Sequence, residues 1–554
     1  MKQLLQTISK SEWRFVWVIS CVLVALTSLP YIVGWLAAPP GFVYTGLHAL
    51  SPGDIPVYYS YIQQAASGEL FVKNLFTAES QQLGTFNVWW WLVSLPVRFL
   101  GLSAPLAFQL SRLAMIPVFV AVAYVFLSYF FQSALLRKLS LFFILFSSGL
   151  GAYAVGGMQN ISSPNDLEPY AWPIDLWLVE ATTFNGLLQT SHFIASLSLT
   201  LGMFLCLLLG FRTKQWRYSL VAGGLGLFYF NFHPYYLPSV FGTLGLYWLA
   251  ETFRHRRVLW HQGFQLVIAA ALSLPSALYH LWLIQQEPVI GLRAAQNVTL
   301  IAPLPYVLVG YGLLLVGGLI GAGVWWRQRS RYPELSLLVI WLAVSVGLIY
   351  SPFPFHSRYT QGIQFGLAIF TVLGLLAIKD QLQRRLSPRR YDFWVKNPTL
   401  LGWLFVLGFM PSILFNLTRD FYLFTVQPEE AREKLYLSED LVSAIAWLGT
   451  QPKTSVTLAS DIMSKFIPGQ IGQAVFVGHG HETVHAKTKR AFLEIFYASN
   501  ENDRFKRRGL SKHGIDFVAH GSLEQKLGSF DPSQTDYLTL VFESGEVQVY
   551  RVDL

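Results

Sequence analysis

Residues 48–79, HALSPGDIPVYYSYIQQAASGELFVKNLFTAE, decide how this chain is read. They follow the first apolar run and make the longest early stretch too polar to lie in lipid. Asp54 comes just after the Pro52-Gly53 turn signal. From Ile55 the sequence carries Tyr58, Tyr59, Tyr61 and Ile62 at the spacing of an aromatic, amphipathic helix. Such an element suits a membrane surface, with its loop delivering the Asp54 carboxylate to the lip of a cavity.

The surrounding composition fixes the class. Of 554 residues, 53% are hydrophobic and only 13% charged, and the 18 Trp suit a protein with many membrane interfaces. The mean hydropathy is +0.42. A soluble multidomain protein is excluded, and the reading is a polytopic α-helical membrane protein. The net charge of +9 does not point to nucleic acid, because the basic residues sit in short clusters between apolar runs. Cys21 and Cys206 both fall inside apolar runs, so no disulfide framework is available. Lys2, Lys10 and Arg14 precede an apolar run that reads as a retained first span, not a cleaved leader.

About 11 transmembrane helices are expected from runs long enough to cross the hydrocarbon core. They lie at 14–37, 105–131, 139–157, 191–211, 218–232, 236–253, 258–284, 301–326, 334–351, 361–378 and 399–418. The segment 86–100, FNVWWWLVSLPVRFL, is apolar but interrupted by Pro96 and Arg98, and reads as an interfacial or re-entrant helix. With the N-terminus in the cytoplasm, the clusters Arg137/Lys138, Arg212/Lys214/Arg217, Arg254/Arg256/Arg257, Arg327/Arg329/Arg331 and 379–396 all fall inside. Making 86–100 a span would scatter them over both faces. The expected architecture is therefore a transmembrane domain over 1–427, with an exoplasmic loop at 38–104 holding juxtamembrane helices. A small soluble exoplasmic α/β domain over 428–554 follows. In it SEDLVSAIAWLGT and KTKRAFLEIFYAS read as helices, and SVTLAS, AVFVG, GIDFVAHG, YLTLVFES and GEVQVYRV as strands, the last two a hairpin at Ser544-Gly545.

That topology gathers Asp54, Asp166, Glu168, Asp175, Glu180, His192, His233, Glu287 and His356 on the outer side, around one outward-facing polar cavity. A lone aspartate after Pro-Gly is commonly a turn or helix cap. On a long exoplasmic loop it also suits a general base that takes a proton from an acceptor hydroxyl or amine. Arg358, in SPFPFHSRYTQG, sits at the start of a span against the positive-inside trend, beside His356. Its guanidinium suits the oxygens of a phosphate, the alternative being a snorkelling interfacial arginine. Lys73 and Arg293 are further candidates for that work. Asp175, Glu180 and His192 flank the fourth span, and His233 stands at a Pro-marked break in FNFHPYYLP. Each reads as a cavity residue on the acceptor side, as does Tyr58, or as a satisfied polar group. HGHETVH at 479–485 spells H-E-x-x-H by letters, but it follows the strand-like AVFVG in a Gly-flanked turn, so zinc protease chemistry is not adopted. Asn160, Asn297 and Asn416 begin glycosylation sequons.

A basic N-terminus, one span, a loop aspartate, juxtamembrane helices, many further spans and a C-terminal α/β domain resemble the GT-C glycosyltransferases. The residues nearest to that family are GDIPVYYSYIQQAASGELFVKNLFTAE, FNFHPYYLP and FHSRYTQGIQFGLAIF. The resemblance implies an integral membrane glycosyltransferase that moves a sugar from a polyprenyl-phosphate donor to a glycan, lipid or protein acceptor on the exoplasmic face. It implies Asp54 as general base, with Arg358, His356 and Lys73 toward the donor phosphate. Ile55 follows Asp54 where many members carry a paired acid. A divalent cation is allowed, but the sequence assigns it no ligands, and no nucleic-acid partner is expected. The implied location is the bacterial cytoplasmic membrane. The alternatives are a transporter or flippase of a lipid-linked or small polar solute, or a membrane-anchored C-terminal binding domain. The first calls for a mid-span charge and an inverted repeat, and neither is visible.

Overall fold

The computed structural model describes residues 1–48, 53–158 and 172–554. The expected residues Asp166, Glu168 and Asn160, and Pro52 of the turn before Asp54, lie outside the described residues. All eleven apolar runs contain helix, that at 139–157 as Ala134–Phe146 and the short Gly151–Ala154 with a break between them. Among the described residues seven helices are long and apolar enough to cross a membrane, among them Lys10–Leu36, Ala104–Phe130, Ser191–Thr213 and Trp260–Gln286. The chain is an integral membrane protein. The run at 399–418 is two helices, Pro398–Phe409 and Pro411–Val426, bent by 71°. Proline lacks the N–H that would continue the first helix and disfavours helical geometry in the residue before it, which places the break at Met410. Counted as one broken span, the pair makes eight. The runs at 218–232 and 334–351 form the helices Arg217–Phe232 and Pro333–Ile349, the first of 16 residues. At about 1.5 Å per residue a helix of that length falls short of a hydrocarbon core of about 30 Å.

The chain divides into two compact units, each discontinuous in sequence. The first comprises Met1–Leu29, Arg112–Leu278 and Thr299–Arg419 and is helical. Its helices Leu304–Arg327 and Ile363–Arg385 approach closely because Gly317 and Gly321, four apart, leave a groove. A Cβ on Gly321 would stand 1.7 Å from the Phe370 carbonyl oxygen. Small residues at this spacing let apolar helices pack backbone to backbone, which is how helices associate where lipid offers no hydrophobic drive. Between the spans, the segment after Trp172 folds into a short 3-10 turn, Ile174–Leu176, and a helix, Thr183–Gln189. The Thr182 side chain caps that helix by accepting from the Asn185 N–H.

The second unit comprises Pro30–Ser111, Tyr279–Val298 and Asp420–Leu554. The amphipathic run of the first loop is the helix Ile55–Ala66, with Ile55, Val57, Tyr59 and Ile62 buried. The segment at 86–100 is the helix Val88–Leu100, of 13 residues, capped by Asn87 and stopped at Gly101 in the left-handed region. At about 1.5 Å per residue it is too short to span a core of about 30 Å. It packs on the first helix through the stacked rings of Tyr58 and Trp90, 4.7 Å apart. Strand β1, Phe42–Tyr44, pairs antiparallel with β2, Tyr436–Ser438.

The C-terminal segment then builds a five-stranded sheet from β3 (Val456–Leu458), β4 (Ala474–Val475), β5 (Phe517–His520), β6 (Leu538–Ser544) and β7 (Val547–Val552). The order is β4-β3-β5-β7-β6, with β4, β3 and β5 parallel and the last two strands an antiparallel hairpin. The five strands expected from sequence are all present, as are the helices Glu439–Leu448 and Ala486–Ala498. Two further helices, Asp461–Ile471 and Asp503–His513, did not show in the pattern. The first contains Pro468, and the second is dense in charge. Lys506 lies buried in the second, its ammonium 4.2 Å from the Phe530 ring centre, where an apolar residue would be expected. Phe476, Phe496, Tyr497, Val518 and Tyr537 lie at the centre of the core between sheet and helices.

Candidate active site

Asp54 holds the N-cap position of the Ile55–Ala66 helix, yet its side chain makes no capping hydrogen bond. Its backbone is helical (φ −78°, ψ −33°), not the extended form in which an aspartate reaches back to the helix N–H groups. The carboxylate instead faces the C-terminal segment, where Oδ1 lies 3.3 Å from Nε2 of His479. The Asp54 side chain is 48% exposed and that of His479 is 8% exposed. One group is half-exposed and the other is buried.

What holds His479 is the loop 478–485, the HGHETVH stretch. It is a run of turns and not a helix, so the H-E-x-x-H letters do not place two imidazoles on one helical face. Nδ1 of His479 accepts the backbone N–H groups of His481 and Glu482, each at 3.1 Å. Thr483 Oγ1 accepts the N–H groups of Gly478 and His479 and donates to the Phe76 carbonyl at 2.7 Å. Asn74 donates to the Glu482 carbonyl, also at 2.7 Å. From the helix Pro288–Gln296, Gln296 donates to the carbonyls of His481 and Thr483. Arg293 of the same helix pairs with the Glu482 carboxylate at 3.1 Å and donates to Tyr61 Oη at 2.9 Å. Burial pushes the Tyr61 phenol up to about 12, and the Glu482 carboxylate raises the pKa of Arg293 further. Arg293, expected toward a phosphate, is thus engaged with a carboxylate and a phenol.

In the first unit, Arg358 and Glu180 come together. Nη1 of Arg358 lies 2.5 Å from Glu180 Oε1, and its guanidinium stands over the Phe193 ring at 5.2 Å. The Glu180 side chain is fully buried and that of Arg358 is 22% exposed. The sequence reading assigned these two to opposite substrates; the fold makes them partners. Glu180 also lines a cavity of about 20 Å³ with Thr182, Thr183, Phe193, Gln361 and Gln364, room for about one water. Nearby rings belong to His192 and His233, 5.0 Å apart. His233 Nδ1 is 2.6 Å from Ser196 Oγ, so this buried histidine is hydrogen-bonded within the helices. Asp175 is 1% exposed. Its carboxylate accepts from the Gly151 N–H at 3.3 Å, and Oδ1 has no hydrogen-bond partner among the described residues. Burial pushes its pKa up to about 7, against the nearby Ser412 hydroxyl and the Gly151 backbone N–H, which hold it down.

The remaining expected residues are placed less tellingly. Tyr58 is committed to its stack with Trp90 and Phe108. Lys73 is exposed, with its backbone tied to the Gln64 amide. His356 stands half-buried at the start of the 3-10 turn Ser357–Thr360. Asn416 is fully buried and donates to Asn185 and to the Asp175 carbonyl, which removes it as a glycan acceptor in the folded chain. Among the described residues no three His, Cys, Asp or Glu side chains gather in a metal-holding group.

No protein-family model matches the sequence, and no curated protein is similar to it. Solved structures are. The oligosaccharyltransferase of Archaeoglobus fulgidus in its apo form matches with a TM-score of 0.52 at 13% identity, over 91% of this chain and 69% of that one. The likeness is one of fold, and it is the fold expected from the resemblance to the GT-C glycosyltransferases. The archaeal oligosaccharyltransferase AglB from the same organism, in complex with an inhibitory peptide and a dolichol-phosphate, gives a TM-score of 0.49 at 12% identity, over 93% of this chain and 70% of that one. Within the GT-C fold the loop aspartate was legible from sequence. His479 as its neighbour was not, since only the Gly-flanked histidines of HGHETVH hinted that the loop was built for a purpose.

Proposed function

We propose that this protein is a membrane glycosyltransferase that moves a sugar from a polyprenyl-phosphate donor to an acceptor hydroxyl or amine. The acceptor class is a glycan, a lipid or a protein. The reaction takes place on the exoplasmic face of a bacterial cytoplasmic membrane, with the N-terminus in the cytoplasm. One observation supports it above the others. On a GT-C fold, the loop aspartate at a helix N-terminus leaves the cap bond unmade and turns a half-exposed carboxylate toward a fixed imidazole. A structural capping residue has no reason to do so.

Asp54 takes the proton from the acceptor as its oxygen or nitrogen attacks the anomeric carbon. The bond from that carbon to the lipid phosphate oxygen breaks, and the phosphate leaves with the electron pair. Arg358 is assigned to the phosphate. Its guanidinium is oriented by Glu180 and the Phe193 ring while part of it stays exposed, and a fixed cation stabilises charge that develops on a leaving phosphate. Asp175, His192 and His233 support that region from within the helices.

The test is transfer from a panel of radiolabelled polyprenyl-phosphate hexoses and pentoses in membranes containing wild type, Asp54→Asn and Arg358→Ala. Removing a general base costs about 10²- to 10⁴-fold in rate. Unchanged transfer by Asp54→Asn, with the protein inserted and folded, refutes Asp54 as the base. Wild-type membranes that transfer from no donor, yet move a lipid-linked sugar across the bilayer, turn the reading to transport.

A further inference from the structure

The assignment of Asp54 as base leaves open what aims its carboxylate, and the C-terminal segment supplies an answer. A ring nitrogen that accepts hydrogen bonds carries no proton. Nδ1 of His479 accepts two backbone N–H groups, so the network assigns the ring's single proton to Nε2. Nε2 is the atom 3.3 Å from Asp54 Oδ1. We infer that His479 is a positioning residue. It is an Nε2–H donor that holds the Asp54 carboxylate in the orientation for proton abstraction.

Two features separate this from a chance approach. The loop cannot easily swing away, because Asn74, Phe76, Arg293 and Gln296 grip it from two other parts of the same unit. The separation of 3.3 Å is at the outer edge of hydrogen-bond range. Catalytic hydrogen bonds in substrate-free enzymes are often this long and tighten in the reacting complex. The C-terminal segment is then neither a separate binding domain nor a passive cover. It contributes the residue that aims the base.

This inference rests on the reading of Asp54 as base, and the experiment separates the two. Asn at position 479 places its amide oxygen where Nδ1 was and keeps the loop, but removes the Nε2–H that reaches Asp54. Gln places its amide N–H where Nε2 was and keeps the contact. With the full-length protein and whichever polyprenyl-phosphate sugar of the panel wild type turns over, His479→Asn is expected to lower kcat about 10- to 100-fold with KM unchanged. A hydrogen bond to a charged group carries about that weight. His479→Gln is expected to recover most of it. Wild-type kcat in His479→Asn, while Asp54→Asn is dead, overturns the positioning role and leaves the base assignment intact. Equal losses in both variants, together with lowered thermal stability, make His479 merely structural. Full activity in Asp54→Asn fells the base assignment itself. Independently of turnover, ¹⁵N NMR of histidine-labelled protein should show His479 protonated at Nε2 alone, with a resonance that moves in Asp54→Asn. A resonance that does not move overturns the contact.

Discussion

Replacing Asp175 by asparagine should make the protein more stable, and only over a defined range of pH. The carboxyl is 1% exposed, one oxygen has no hydrogen-bond partner among the described residues, and burial raises its pKa to about 7 from an ordinary 3.8. The folded state therefore favours the protonated form more than the unfolded state does. For a carboxyl raised in this way, its contribution to stability is intact below about pH 4. It falls by about 1.4 kcal/mol for each pH unit above that, and levels off above about pH 7. Between about pH 5 and pH 7 wild type should lose about 2 kcal/mol that Asp175→Asn does not lose. Asparagine keeps the shape and the acceptor for the Gly151 N–H, and its charge does not change with pH. The assay is unfolding by SDS titration in mixed micelles at the two pH values, for both proteins. Parallel pH dependences would refute the reasoning, because they would mean that the carboxylate ionises in the fold at no extra cost.

Other expectations follow from single contacts. Arg358→Met leaves the fully buried Glu180 without its partner and should cost about 3–5 kcal/mol, most of it regained when Glu180→Leu is added. Transfer should stay lost in that double variant, and a double variant that transfers like wild type would remove Arg358 from the phosphate. Arg293→Met frees Glu482 and should destabilise by about 1–3 kcal/mol while making the loop 478–485 more sensitive to limited proteolysis; an unchanged digestion pattern would argue against the grip described above. Gly321→Leu has no room beside the Phe370 carbonyl and should abolish monodisperse protein in size-exclusion chromatography, whereas the same change at the open position Gly323 should be tolerated.

Sequence reading succeeded where the signal is local. The apolar runs proved largely helical, and the alternating strands of the C-terminal sheet were found, because burial writes its period directly into neighbouring residues. Asp54 stood out for the same reason, as a carboxylate followed by an amphipathic aromatic run. It failed where the partner lies far along the chain. Nothing near Glu180 announces Arg358, and nothing near Asp54 announces His479, so an ion pair was divided between two substrates and a histidine was left in an unassigned motif. The bend at Met410 was available in Pro411 but hidden by the unbroken hydropathy around it. Arg293 illustrates a different loss. A cation on an outer loop is equally well read as meeting a phosphate or a carboxylate, and only its contact with Glu482 decides.

The pairing of β1 with β2 also has a timetable. Thr45 donates to the carbonyl of Leu435, a partner 390 residues further along the chain. At about 5–20 residues per second of synthesis, the first strand and the helix after Asp54 wait on the order of 20–80 s before the ribosome delivers what they bind. During that interval an aromatic helix and an unpaired strand edge must be kept from other partners. His479 is made later still, so the aspartate gains its neighbour only near the end of translation. A chain cut short before that loop would emerge with its spans in place and its carboxylate unguided.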